Sequence, residues 1–267
     1  MALMAQPQFK HIYGPVHSWR MGMSLGLDPI STTQKTCNFN CTYCQLGCSG
    51  AADAVVERRV FIPTAEIVEE LKALDTDVDI DYLTFSGNGE PTLAANLGEM
   101  IRAVKALRPE KVAVITNGTL LGRKDVQDDL SAVDLILVKL EAADEATFQA
   151  VNRPAAGVTL ASVVDGIKTF KRTFKGRFGL QVMFVGKNNF QAQAIARLTG
   201  EIGADEVQIN TPLRKNPDKP LSPEDMAVLK TFFAGQNVRS VYEEEKKEYH
   251  PFDDQATVRR HGQFKGL

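Results

Sequence analysis

Cysteine is missing from almost the whole of this sequence. The four thiols present all fall within TCNFNCTYCQLGCSG (36–50), and the rest of the 267 residues has none. Long apolar runs are missing too: nothing approaches the roughly 18–20 consecutive apolar residues that a membrane helix requires. The opening MALMAQPQFKHIYGP has no basic region followed by an apolar stretch, so no secretory signal is expected. Neither sign of charge is in excess. With 31 basic against 33 acidic residues, a net charge of -2 and a pI near 6.1, no bulk field draws the chain to nucleic acid or anionic lipid. An RNA substrate would have to be held by a local patch. Internal repeats and low-complexity tracts are absent.

Together these absences predict a cytoplasmic protein with no membrane partner. In that reducing compartment structural disulfides are rare, so the clustered thiols read as metal-binding or redox groups. Hydrophobic residues make up 43% of the chain, enough to bury a sizeable core at this length.

Short apolar runs alternate with longer amphipathic segments. The predicted strands are MGMSLGLDP (21–29), DYLTFSG (81–87), KVAVITNG (111–118), VDLILVKLEA (133–142), GLQVMFVG (179–186) and DEVQIN (205–210), with VRSVYE (238–243) as a further candidate. The predicted helices are TAEIVEELKAL (64–74), NLGEMIRAVKAL (96–107), VTLASVVDGIKTFKR (158–172), NFQAQAIARLTGEIG (189–203) and SPEDMAVLKTFFAG (222–235). In the last, Ser222 and Asp225 form a capping pair around Pro223. Such alternation implies parallel strands with right-handed crossovers, in an open doubly wound sheet or a barrel. Six repeats fall short of the eight of a closed (β/α)8 barrel, which suggests a partial barrel with an open side.

Strand faces support the barrel. Successive residues point to opposite sides, and Leu135, Leu137, Lys139 and Glu141 share a face that becomes charged toward its C-terminal end. Thr84 with Ser86, Gln181 with Met183, and Gln208 with Asn210 follow the same trend. Barrels keep their sites at that rim, although a strand end meeting water would look similar.

The thiol spacing is Cys37-x3-Cys41-x2-Cys44, with Cys48 beyond. Structural zinc pairs usually come as two short knuckles far apart, and ferredoxin runs use C-x2-C-x2-C or C-x4-C-x2-C. Three cysteines at this spacing can bind three irons of a [4Fe–4S] cube and leave the fourth open. With Tyr43 in the aromatic place, Cys37-Asn-Phe-Asn-Cys41-Thr-Tyr43-Cys44 resembles the signature of the radical S-adenosylmethionine (SAM) superfamily. Further stretches, YGPVHSWRMGMSLG (13–26), SGNGEPTL (86–93), ITNGTLL (115–121) and NRP (152–154), are similar to its wyosine-synthase-like iron–sulfur oxidoreductase group. Members of that group which build the tricyclic tRNA base carry a second cluster on upstream cysteines. No cysteine precedes Cys37 here, so that cluster cannot form in the same way.

The resemblance implies an α/β fold of the partial (β/α)6 TIM-like barrel type and a radical SAM enzyme with two cofactors, a [4Fe–4S] cluster and S-adenosyl-L-methionine. It implies Cys37, Cys41 and Cys44 as iron ligands, and reductive cleavage of SAM to a 5′-deoxyadenosyl radical that abstracts hydrogen from a substrate. The glycine-rich turn Gly87-Asn88-Gly89-Glu90 would meet the methionyl ammonium, as an ordinary Gly-Asn turn closed by proline would not. Thr116 and Asn117 would face the ribose or carboxylate, as would Lys139 and Glu141, unless those two simply pair with each other. Tyr43 would lie beside the cofactor.

An external low-potential electron donor of flavodoxin or ferredoxin type is implied. The substrate class stays open between tRNA or a nucleoside and a small molecule. A non-catalytic electron carrier using all four cysteines and a glycyl-radical activating enzyme are the alternatives. Cys48 reads as a catalytic hydrogen donor, a fallback ligand or a small apolar residue. Arg153 and Arg214 are candidates for grasping an anionic substrate. His11, His250 and His261 read as surface residues, and His17 stands where similar sequences have proline. The basic stretches at 171–177, 213–219 and 259–266 read as solvated surface. The expected organisation is an N-terminal extension (1–20), a barrel (21–215) and a C-terminal extension (216–267).

Overall fold

A computed structural model of the chain describes residues 9–47, 57–74, 79–243 and 248–262. Eight strands lie side by side in sequence order: β1 (Ile12–Ser18), β2 (Gly22–Leu27), β3 (Tyr82–Phe85), β4 (Lys111–Thr116), β5 (Leu135–Lys139), β6 (Arg177–Met183), β7 (Glu206–Asn210) and β8 (Val238–Ser240). Only β1 runs antiparallel, as a hairpin on β2; every later pairing is parallel. Among the described residues eight α-helices accompany them: α1 (Thr64–Lys72), α2 (Leu97–Leu107), α3 (Lys124–Asp129), α4 (Glu145–Val151), α5 (Leu160–Thr173), α6 (Ala192–Ile202), α7 (Pro223–Thr231) and α8 (Asp254–His261). The result is the partial-barrel α/β fold that the alternation predicts, with the six expected parallel strands as β2 to β7.

The sequence reading missed four elements. Residues 12–18, within the segment set apart as an extension, form β1. Helices α3, α4 and α8 also went unnoticed, because each is short, with at most eight residues. None of the described helices is long and apolar enough to cross a membrane.

Local chemistry explains the boundaries. In α2, Leu97, Met100, Ile101 and Val104 are fully buried at helical spacing, each worth about 1.5–3 kcal/mol of burial. That helix ends where Pro109 forces Arg108 into an extended conformation. Ser222 caps α7 by accepting from the Asp225 N–H at 3.0 Å, with Pro223 opening the helix.

Among the apolar clusters of the core, two matter for the site. The larger fills the space between sheet and helices; the smaller is a plug inside the barrel made by Met21, Ala113, Leu135 and Leu137, with Tyr82 and Ile115 against it. Beyond the plug, toward the C-terminal ends of the strands, the interior turns polar. Lys139 is level with Gln181, and Met183 with Asn210.

The last strand also reaches back to the first hairpin. Arg239 on β8 donates to the Trp19 carbonyl at 2.6 Å and to the Arg20 carbonyl at 3.1 Å. Helix α8 packs on β1, its Thr257 hydroxyl accepting from the Gly14 N–H at 3.0 Å. Both contacts narrow the open side of the barrel.

Candidate functional site

The cysteine loop leaves β2 at its C-terminal end and is strapped down along both flanks. On one side Thr36 pairs with the glycine-rich turn: its N–H donates to the Asn88 carbonyl at 2.9 Å, and its carbonyl accepts from the Glu90 N–H at 3.0 Å. A Cβ on Gly89 would stand 1.7 Å from that Thr36 carbonyl, so the position demands glycine. The Gly89→Ala variant is expected to lose about 3 kcal/mol of stability, the upper end for overpacking, read as a lower urea midpoint.

On the other side the loop docks on Asn152-Arg153-Pro154. Asn40 N–H donates to the Asn152 carbonyl at 3.0 Å, Thr42 N–H to the Val151 carbonyl at 2.9 Å, and Phe39 bridges to Pro154. Phe39 also meets Phe148 edge to face at 5.3 Å between ring centres. Here is the structural role of the NRP stretch.

Donors are aimed at two of the sulfurs. The Phe39 N–H lies 3.4 Å and Asn117 Nδ2 3.7 Å from Cys37 Sγ, while Asn152 Nδ2 lies 3.5 Å from Cys41 Sγ. Burial pushes the Cys37 thiol far up, helped by the Glu90 and Cys41 charges; burial, Glu141 and Cys44 push Cys41 up to about 12. Thiolates beside two buried carboxylates need a cationic group to offset them.

Three thiols from one loop, two of them with N–H donors aimed at sulfur, could hold an iron–sulfur cube. Among the described residues no three His, Cys, Asp or Glu side chains converge on one ion. Thiols that each take a separate iron have no need to. Cys44 faces a cavity of about 400 Å³ in the barrel mouth, to which Tyr43, Gly87, Gly89 and Lys139 also contribute.

The remaining predicted residues stand behind that wall. Glu90 is only 2% exposed and accepts four hydrogen bonds, from Thr92 N–H, Thr92 Oγ1, Thr116 Oγ1 and Asn117 N–H. Burial nevertheless raises its carboxyl above the usual range. It ties the glycine-rich turn to the end of β4 and does not line the cavity, so the expectation of a direct cation acceptor gives way to an organising role.

Asn88 is equally engaged, its N–H on Asp28 Oδ2 at 3.2 Å and its amide on the Thr32 carbonyl at 2.9 Å. Asn117 also donates to Asn38 Oδ1 at 2.5 Å. Glu141 is buried, 3.1 Å from Lys139 Nζ and accepting from Asn152 Nδ2 at 2.7 Å. Lys139 further donates to Gln181 Oε1 at 3.1 Å and sits 4.9 Å from the centre of the Tyr43 ring. The internal Lys–Glu pair therefore exists, with the ammonium still facing the cavity.

Several residues were missed. Tyr13 packs on Gly26, where a Cβ would come within 2.1 Å of the ring, and its hydroxyl meets Ser86 Oγ at 2.6 Å. Asn38 and Asn152 carry only a faint signal, as asparagines inside conspicuous motifs. The histidine reading holds for His250, which is exposed, but needs correction elsewhere: His11 is buried, and His261, like His17, lines the cavity. So does that of the last basic stretch. Arg260 is fully buried, paired with Asp28 at 2.8 Å, and donates to the Lys10 carbonyl.

The stretch at 171–177 does lie at the surface, where Lys171 pairs with Asp205 and Arg177 with Glu206. Arg153 is exposed with a positive φ and does not reach the cavity, whereas Arg214 does. Cys48 lies outside the described residues.

Comparison with known proteins agrees with this architecture. Residues 31–199 match the Radical SAM superfamily. The UPF0026 protein slr1464 of Synechocystis is 42% identical over 214 residues, covering 78% of each chain. The UPF0026 protein MJ1312 of Methanocaldococcus jannaschii is 32% identical over 228 residues, covering 83% of this chain and 70% of its own. Among solved structures, Streptococcus suis SuiB bound to precursor peptide SuiA superposes with a TM-score of 0.61 at 16% identity, over 83% of this chain and 50% of SuiB. That likeness concerns the fold.

Proposed function

The chain belongs to the radical SAM superfamily, and from that premise we propose that it is an enzyme whose cysteine loop holds a [4Fe–4S] cluster and whose barrel mouth holds S-adenosylmethionine. Once bound, the two would supply one-electron reductive cleavage of SAM and, through it, hydrogen abstraction from the substrate. The observation that carries this reading is the opening of Cys44 onto the same cavity as Gly87, Gly89 and Lys139.

The chain's residues divide the work by position. Cys37, Cys41 and Cys44 are the ligands, and the N–H donors on Cys37 and Cys41 set the basicity of the sulfurs. Gly87 and Gly89 bring bare backbone to the cavity wall. Lys139, held by Glu141 and Gln181, presents an ammonium for a carboxylate. Tyr43 closes the wall beside Lys139. Asn88, Glu90, Thr116 and Asn117 lock the turn so that this surface is formed before any ligand arrives. The Met21–Leu137 plug excludes water from below. An external flavodoxin- or ferredoxin-type donor would deliver the electron, and the substrate would be a small molecule or a nucleoside presented at the mouth.

Anaerobically reconstituted protein given dithionite and SAM is expected to release 5′-deoxyadenosine, detected by chromatography. Protein with a full complement of iron and sulfide that releases none would overturn the reading. Deuterated candidate substrates then identify the hydrogen donor by label arriving in 5′-deoxyadenosine.

A further inference from the structure

The cavity continues past Cys44 to a second wall, built by Trp19 and Arg20 at the tip of the β1–β2 hairpin, Arg214 after β7, and His261 at the end of α8. This wall is cationic. Of the described residues lining the cavity, none is Asp or Glu. Two cations of the cavity have internal carboxylates, Lys139 with Glu141 and Arg260 with Asp28. For Arg20 the structure gives no such pairing: its Nε is buried without a hydrogen-bond partner, and its guanidinium lies 5.7 Å from the centre of the Trp19 ring.

Arg214 is aimed by its neighbours. It donates through Nη1 to Gln45 Oε1 at 3.0 Å and meets His261 Nε2 through Nη2 at 2.6 Å, the imidazole accepting. Burial, then the charges of Arg214 and Arg20, hold His261 well below its ordinary range, which keeps that acceptor neutral. Burial pushes both arginines down to about 10, and the charge of Arg20 adds to the effect on Arg214. Two partly desolvated guanidiniums on one small cavity repel each other until an anion comes between them.

We propose that Arg20 and Arg214 form the seat of an oxyanion, a carboxylate or phosphate group carried by a small substrate whose reacting carbon lies toward Cys44. Planar guanidiniums match both groups with paired hydrogen bonds, which a point-charge ammonium cannot. At about 400 Å³ the cavity, shared with SAM, leaves room for a compact group. The assignment rests on the function proposed above for the other end of the cavity, and it names the substrate class of that site.

Calorimetric titration of reconstituted full-length protein with inorganic phosphate and with malonate, each with and without saturating SAM, tests it. At least one anion is expected to bind, and R20Q or R214Q to weaken binding roughly tenfold or more. R20K, which keeps the charge and loses the fork, should fall in between and serves in place of R20Q should circular dichroism show that variant unfolded. Tighter phosphate binding assigns a phosphorylated substrate, and tighter malonate binding a carboxylic acid. Binding of neither anion, unchanged affinity in folded variants, or displacement of the anion by SAM would overturn the proposal. The measurement needs no turnover. Protein that binds the anion but makes no 5′-deoxyadenosine contradicts the enzymatic reading alone; the reverse contradicts the anion seat alone.

Discussion

Serine at Cys37, Cys41 or Cys44 is expected to abolish 5′-deoxyadenosine formation and to strip iron from the purified protein. A hydroxyl has nearly the shape of a thiol but ionises far less readily and is a much poorer ligand for cluster iron, so each change weakens or removes a ligand while sparing the loop. Loss of partners that merely orient a ligand costs 10–100-fold, so loss of a ligand should exceed about a hundredfold.

The three sites should differ in what else they disturb. Cys37 and Cys41 pack against the core and receive the amide donors, whereas Cys44 faces the cavity. Cys44→Ser should therefore leave the melting temperature of the iron-free protein closest to that of the parent. Iron content, the brown absorbance and product yield measured together decide the matter. Full yield in any one variant would sink the ligand assignment. Iron loss on replacing Cys48 would favour an electron carrier with four protein ligands.

Arg260→Met is expected to be the most destabilising single change outside the cysteine loop. Arg260 and Asp28 have fully buried side chains, 2.8 Å apart. Removing the guanidinium leaves a carboxylate in a dry site at a cost of about 3–5 kcal/mol. At 2–4 °C per kcal/mol that is a fall of about 10 °C in melting temperature. The damage should spread to the site, because Asp28 also accepts from Ile30, Ser31 and Asn88 and packs against Gly87. Adding Asp28→Asn removes the stranded charge and should restore part of the loss. A fall below about 1 kcal/mol would show that water reaches the pair.

These two expectations mark the limits of what the sequence discloses. The cysteine loop, the glycine-rich turn and the parallel strands are readable because each is written in neighbouring residues, by spacing, by glycine and by period-two burial. The barrel rim could be inferred from Lys139 and Gln181, since strand alternation fixes their direction. The Asp28–Arg260 pair spans 232 positions, and RRHGQFKG looks like solvent-facing charge until its partner is placed. Glu90 could be found but not interpreted: its four donors come from Thr92, Thr116 and Asn117, and only folding reveals that its lone pairs are occupied. Trp19, Arg20 and His261 were missed for a related reason. A hairpin tip and a polar terminal helix carry no periodic signal of pointing inward.

Helix α8 has a consequence for how the protein is made. Its Arg260 carbonyl accepts from Gln45 in the cysteine loop, and its Thr257 hydroxyl from the Gly14 N–H. At 5–20 residues per second the ribosome delivers Cys44 roughly ten to forty seconds before Arg260. Throughout that interval the thiols lack their final cover and stand open to stray metal and oxygen. Under the proposed function, cluster loading is expected once α8 has docked and the cover around the sulfurs is complete.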